Sequence, residues 1–247
     1  MKNFGIIIEA RIGSSRLPNK ILKKIGRISI LEFLIRRVKK QNKIDKIILA
    51  TTKKKEDYKL VKIAKKKNIG WFQGSENDLI KRVIDASKKN NLDNIVQVTA
   101  DNPFFDLKIF NLLLKKYKTG NYKFVSNSID SEFPIGSDIR IFSLNSLVKY
   151  SKYVKGEARQ HTCYYFLKNK KKIKSFTLKA SKNYKKPNYR LTIDYPRDLQ
   201  LIKKIISNLG SNYYGLDKII KFLDKNKKLA MINSNLPTTL KIPKYKK

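Results

Sequence analysis

Acidic residues are scarce in this chain: 19 of its 247 residues are Asp or Glu, against 57 Lys or Arg, a formal net charge of +38. Cysteine and histidine are scarcer still, one of each, Cys163 and His161. A single cysteine excludes an internal disulfide and fits a reducing, cytoplasmic setting. One His and one Cys supply too few nitrogen and sulfur donors for a zinc site, so any metal is expected to be a hard ion on carboxylates. No apolar run reaches the roughly 18 residues of a membrane-spanning helix, and the N-terminus carries no signal-peptide pattern, so neither a membrane span nor export is expected. No internal repeat is present.

A basic stripe is also missing. The pI near 10.2 would ordinarily suggest a nucleic-acid partner. The cations, however, are scattered along the whole chain, as Lys39-Lys40, Lys65 to Lys67, Lys88-Lys89, Lys170 to Lys172 and Lys227-Lys228, among abundant Ile, Asn and Tyr. This reads as compositional drift. No specific nucleic-acid partner is expected, only weak and salt-sensitive polyanion binding.

What the chain does have is a core and a rhythm. Hydrophobic residues make up 41%, and 247 residues are enough to bury a full core. Short apolar runs at Phe4 to Ile8, Ile44 to Leu49, Ile69 to Phe72 and Asn94 to Thr99 alternate with helical patterns at Ile30 to Val38, Asp57 to Lys67 and from Ser75, as N-cap, to about Asn90. That alternation predicts an α/β fold, a Rossmann-like, mostly parallel central sheet with helices on both faces. In the second half helices are expected at Asp106 to Tyr117, Leu144 to Tyr150, Gly156 to Lys168, Pro196 to Leu209 and Leu216 to Asp224. Strands are expected at Lys123 to Ser126, Ser137 to Phe142, Ile173 to Lys179 and Tyr189 to Ile193. We expect one domain over residues 1–232, with a small lobe inserted at about 120–190, and an extended Lys- and Pro-containing tail over 233–247.

The loop Arg11-Ile12-Gly13-Ser14-Ser15-Arg16-Leu17-Pro18-Asn19-Lys20 follows the first strand. Gly13 lets backbone approach a ligand, the amides of Gly13, Ser14 and Ser15 can form a nest for anionic oxygens, and Arg11, Arg16 and Lys20 add three cations. Taken singly, each of these also reads as a solvated turn in so basic a chain. Two carboxylates stand at strand ends: Asp101 in Val98-Thr99-Ala100-Asp101-Asn102-Pro103, and Asp194 in Leu191-Thr192-Ile193-Asp194-Tyr195-Pro196-Arg197-Asp198-Leu199. Either reads locally as a helix cap or turn; together at one sheet edge they would suit Mg²⁺.

The string from Ile7 to Lys20 closely resembles the signature of the cytidylyltransferases that activate acidic sugars, most of all the branch named for spore-coat polysaccharide biosynthesis. The resemblance implies a nucleotidyltransferase fold, CTP as donor, nucleotide contacts for Ala10, Arg11, Gly13, Ser14, Ser15, Arg16 and Lys20, and Mg²⁺ on Asp101 and Asp194. Lys20, Arg16, Asp101 and Asp194 are the residues implied to be catalytic. Gly74, Ser75, Asp78 and Arg82 resemble the segment around the base and ribose. A small acidic acceptor and a homodimer are implied as partners, the acceptor and the dimer contact being assigned to the lobe.

There are departures from the family pattern. Glu9 stands where Gln is more usual, Ala100 replaces a Gly, and Asn102 a residue often Cys. Phe133-Pro134-Ile135-Gly136-Ser137-Asp138-Ile139-Arg140 resembles a stretch that usually carries an acidic residue at the place of Arg140. Asp138, Arg140 and His161 are the residues implied for the acceptor, but Arg140 reads equally as a contact for an acceptor anion or as the partner of a neighbouring Asp. His161, in the partial match Arg159-Gln160-His161-Thr162-Cys163, reads as an acceptor contact, a proton acceptor, or a packed side chain. The chemistry expected is transfer of CMP to a sugar acid with release of pyrophosphate. A phosphonate or phospho-alcohol acceptor, another base, and a basic binding protein on a catalytically retired fold stand as alternatives.

Overall fold

The computed structural model describes residues 2–128 and 130–237. The chain opens with Phe4–Glu9 (β1), whose side chains alternate between the two sides of the sheet. Ile6 and Ile8 join one hydrophobic cluster and Ile7 the other. The loop of residues 10–19 then leads through a 3₁₀ turn at Lys20–Leu22 into a short antiparallel ribbon, Lys24–Ile25 (β2) with Ile28–Ser29 (β3). Ser29 caps the helix Ile30–Val38 (α1), its hydroxyl accepting from the Glu32 amide while the Glu32 carboxylate accepts from the Ser29 amide.

The next elements follow the predicted alternation: Lys46–Thr52 (β4), Tyr58–Lys66 (α2), Gly70–Gly74 (β5), Leu79–Lys89 (α3), Asn94–Thr99 (β6) and Leu107–Thr119 (α4). Asp78, not Ser75, caps α3, accepting from the Lys81 amide at 2.8 Å, while Ser75 accepts from the Asp78 amide. Carboxylate and hydroxyl each cap well, and the helix begins three residues later than the sequence suggests.

Residues 120–190 supply Phe124–Ser126 (β7), Arg140–Ser143 (β8), Leu144–Ser151 (α5), Tyr164–Lys168 (α6) and Ser175–Thr177 (β9). The three strands continue the central sheet, whose order is β5-β4-β1-β6-β8-β7-β9. The β1, β4, β5 and β6 pairings are parallel, while β8 runs antiparallel to β6 and β7. The stretch Gly156 to Lys168 is not one helix. It is a 3₁₀ turn at Gly156–Gln160, a break at residues 161–163, and then α6. The break is held from inside by Thr162, which donates to Glu9, and by Cys163, against Gln97.

Tyr189 to Ile193 forms no strand; its amides are satisfied by loops. Leu191 donates to Ile135 at 2.7 Å and Ile193 to Asp101 at 3.0 Å, leaving one isolated bridge, Ile135 with Arg190. Pro196–Leu209 (α7), Leu216–Lys225 (α8) and Lys227–Ala230 (α9) complete the described fold. Helices α1, α2, α4, α7 and α8 cover one face of the sheet, and α3, α5 and α6 the other. Of the tail expected to be extended, residues 238–247 lie outside the described residues. Its first residue, Asn233, is instead buried, donating to Arg190 O and Asp198 Oδ1.

Candidate active site

Parallel strands leave their carboxyl ends on one rim, and ligands of open α/β sheets sit there. At that rim the loop after β1, the residues after β6 and the segment ahead of α7 enclose a cavity of about 350 Å³. Two hydrogen bonds set the loop: Ala10 N–H donates to Ala50 O at 3.1 Å, and Ile12 N–H to Asp57 Oδ1 at 2.7 Å. Ile12, Leu17 and Ile21 are buried beneath it. Apolar anchors below and cations above make the loop an ordered platform. Gly13 has open space where a Cβ would stand and no positive φ, so neither packing nor strain demands glycine; what glycine leaves is bare backbone on the cavity wall.

The two distant aspartates meet. Lys20 Nζ donates to Asp101 Oδ2 at 2.6 Å and to Asp194 Oδ1 at 2.9 Å, and Arg16 Nη2 reaches the same Asp194 oxygen at 2.7 Å. Burial pushes the Asp194 carboxyl up, but Lys20, Arg16 and Arg190 pull it down further, and it lies below its ordinary 3.8. Lys20 is held above its ordinary 10.5: burial acts against the charge, and Asp101 and Asp194 more than offset it. Two carboxylates within hydrogen-bond distance of one ammonium are also within reach of one divalent ion. Among the described residues no group of three or more His, Cys, Asp and Glu gathers as a metal site. A two-carboxylate donor set fits Mg²⁺, which keeps waters and phosphate oxygens as its remaining ligands.

Beneath the cavity lies a buried polar relay, of which Glu9 alone reaches the wall. Glu9 Oε1 accepts from Thr162 Oγ1 at 2.5 Å and Oε2 from Gln97 Nε2 at 2.8 Å, while Gln97 Oε1 accepts from Arg140 Nη1 at 3.2 Å. Burial raises the Glu9 carboxyl above its ordinary 4.5, with the Thr162 and Gln97 hydrogen bonds and the charges of Arg82 and Arg140 acting the other way. His161 stands on the cavity wall; desolvation, then Arg140 and Arg11, lower it below 6.5, which favours the neutral ring.

Of the residues singled out in the sequence, Ala10, Arg11, Gly13, Ser14, Ser15, Arg16, Lys20, Arg82, Asp101, His161 and Asp194 all line the cavity. Gly74, Ser75 and Asp78 do not: they lie behind Arg82, whose Nη1 donates to Ser75 O at 2.8 Å, and Asp78 is tied to Arg159 Nε at 2.6 Å. Asp138 and Arg140 do not line it either. The Arg140 guanidinium donates to Asp138 at 3.0 Å, to Ser128 and to Gln97, so the neighbouring Asp of its second reading is a partner of this side chain. Sequence reasoning passed over Arg190 and Asp198, the pair that grips Asp194 from behind. The available signal was an Arg, the minority cation of this chain, four residues ahead of Asp194 and eight ahead of Asp198.

A family model described as cytidylyltransferase matches residues 5–233. The chain belongs to the cytidylyltransferase family. A cytidylyltransferase from Leptospira borgpetersenii serovar Hardjo-bovis (strain JB197) is 34% identical, the match covering 96% of this chain and 99% of that one, with a TM-score of 0.88. The spore coat polysaccharide biosynthesis protein SpsF of Bacillus subtilis (strain 168) is 26% identical over 235 residues, 92% of this chain and 96% of that protein. The structure of a CMP:2-keto-3-deoxy-manno-octonic acid synthetase complexed with CTP shares the fold, at 14% identity, a TM-score of 0.63, and 85% of this chain against 100% of that one. This cytidylyltransferase is therefore a nucleotidyltransferase whose central sheet is that of its relatives. Among its described residues no helix is long and apolar enough to cross a membrane.

Proposed function

We propose that this cytidylyltransferase moves CMP from CTP to an acidic acceptor, a sugar acid of the nonulosonic or ulosonic kind, releasing pyrophosphate for the assembly of surface polysaccharide. The reading includes a cytoplasmic homodimer joined through residues 120–190. The observation that carries it is the meeting of Arg16, Lys20, Asp101 and Asp194 at one point of a cavity that Arg11, Arg82 and His161 also line. The names of SpsF and of the CMP-sugar-acid synthetase support the acceptor class.

In this reaction an acceptor hydroxyl attacks the α-phosphorus, a new P–O bond forms, and the bond to pyrophosphate breaks. The protein's part is to position groups and to offset charge. Asp101 and Asp194 would hold Mg²⁺, which when bound neutralises phosphate charge and makes the attacking oxygen more nucleophilic. Lys20, released from the carboxylates, pairs with the α-phosphate as a point charge. Arg11 and Arg16, whose forks match phosphate oxygens, hold the leaving pyrophosphate. The neutral ring of His161 takes the proton of the acceptor hydroxyl.

Pyrophosphate release, measured with each of the four nucleoside triphosphates and Mg²⁺ across a panel of sugar acids, phosphonates and phospho-alcohols, tests the reading. Release is expected with CTP and a sugar acid. Asp194→Asn is expected to lower kcat by about 10² to 10³, the usual cost of one electrostatic element, with the melting curve still cooperative. Turnover only with a phosphonate, a phospho-alcohol or another base would replace the acceptor or the donor named here. No Mg²⁺-dependent CTP binding by calorimetry would point instead to a binding protein on a retired fold.

A further inference from the structure

The two oxygens of Asp194 have different neighbours. Oδ1 meets Lys20 and Arg16, both on the cavity wall. Oδ2 meets Arg190 Nη2 at 2.9 Å, and Arg190 is 2% exposed and no part of that wall. One end of the carboxylate is thus offered to ligands, and the other is held from inside.

We infer that Arg190 is a positioning residue, which with Asp198 clamps Asp194 by Oδ2 so that Oδ1 alone is presented to the cation of the proposed nucleotide site. Arg190 Nε donates to Asp198 Oδ1 at 2.8 Å, and its Nη2 reaches Asp198 Oδ2 at 3.3 Å. Asp198, fully buried, accepts from the amides of Asp194 and Tyr195 through Oδ2, both at 2.9 Å, so it fixes the backbone from which the Asp194 side chain springs. Asn233 closes the assembly, donating to Asp198 Oδ1 at 2.8 Å and to Arg190 O at 3.0 Å. The loop stretch that carries Arg190 is itself pinned. Gly136 sits at φ 88 with its Cβ position 2.4 Å from Thr192 N, a spacing that only glycine allows. A planar guanidinium can serve two carboxylates at once in fixed directions, which an ammonium cannot. A clamp of this kind is how outer residues set the aim of a metal-ligating carboxylate.

The inference rests on the proposed function, and the test separates the two. Mn²⁺ is titrated into the full chain with and without CTP, following free Mn²⁺ by electron paramagnetic resonance, alongside CTP binding without metal and thermal unfolding. The wild type is expected to bind Mn²⁺ when CTP is present. Arg190→Lys, which keeps the charge but loses the fork, is expected to weaken that binding about 10- to 100-fold, while metal-free CTP affinity stays within about twofold. Asn233→Ala loosens the clamp without leaving a buried charge unpaired, and a loss of the same kind, about threefold, is expected; it decides the matter should Arg190→Lys fail to fold. Wild-type Mn²⁺ affinity in the folded variants, or an equal loss of CTP and Mn²⁺ affinity, would overturn the clamp alone. A wild type that binds no Mn²⁺ with CTP present would overturn the proposed function and the clamp with it.

Discussion

At the scale of single residues, the choice between Arg and Lys carries much of the chemistry. Among the described residues the buried cations are Arg37, Arg82 and Arg190, and no Lys is buried. A guanidinium keeps its charge, is less strongly hydrated, and can share fixed donors between partners, so it survives burial where an ammonium does not. Two of the departures from the family pattern, Glu9 and Arg140, turn out to be neighbours through one side chain: Gln97 donates to Glu9 and accepts from Arg140. An anion and a cation thus face each other across an amide, which no linear reading of positions 9 and 140 exposes. The Glu9 carboxyl is raised above 4.5 by burial. Between 4.5 and that raised value the folded state holds more proton than the unfolded state, so stability falls as pH rises through this window, and the loss is complete above it. Glu9→Gln removes this term. Urea midpoints across pH 4.5 to 7.5 are expected to show the variant gaining on the wild type as pH rises; a constant difference would mean that Glu9 is fully compensated by its partners. The loop cations and the paired aspartates were legible because their types are chemically specific and their strings are long. Arg190 was not, because its partners lie on a carboxylate already assigned and on a helix cap.

At the scale of elements, the parallel half of the sheet could be read in the sequence because β1, β4 and β6 are buried on both sides and each helix has one apolar face, patterns that survive without tertiary knowledge. The same signal failed where tertiary partners override it. Tyr189 to Ile193 has a strand's composition but spends its amides on loops, and Gly156 to Lys168 breaks because Thr162 and Cys163 turn inward to the relay under the cavity. The start of α1 is a case in which local and tertiary chemistry agree. Glu32 completes the capping box with Ser29 and meets Lys67, beyond the end of α2, at 2.9 Å. Burial pushes the Glu32 carboxyl up, but the Ser29 amide and hydroxyl and Lys67 bring it down from 4.5 to about 2. A depressed carboxylate contributes stability that is present above 4.5 and lost as pH falls through about 2. Glu32→Gln is expected to flatten the acid limb of the wild-type stability profile between those two values. Ser29→Ala is expected to cost about 1 kcal/mol at pH 7. Chemical unfolding at pH 3 and pH 7 checks both, and an acid limb unchanged in Glu32→Gln would remove the cap from the account of acid sensitivity.

At the scale of the whole molecule, the net charge of +38 acts on folding and on ligand binding with opposite signs. Fifty-seven cations against 19 anions repel one another when the chain is compact, and this repulsion relaxes on unfolding. Screening weakens it: the Debye length falls from about 30 Å at 0.01 M salt to about 8 Å at 0.15 M. The unliganded protein should therefore melt at a higher temperature as NaCl is raised over that range. The same cations, with Arg11, Arg16 and Lys20 at the cavity, attract a polyphosphate from a distance, and salt screens that attraction too. CTP affinity should therefore fall over the range in which stability rises. Thermal melts without ligand and CTP titrations at matched ionic strengths measure the two slopes. Slopes of the same sign, or a melting temperature indifferent to salt, would show that the dispersed lysines are already neutralised by bound anions, and that the positive charge of this cytidylyltransferase is not repulsive in the folded state.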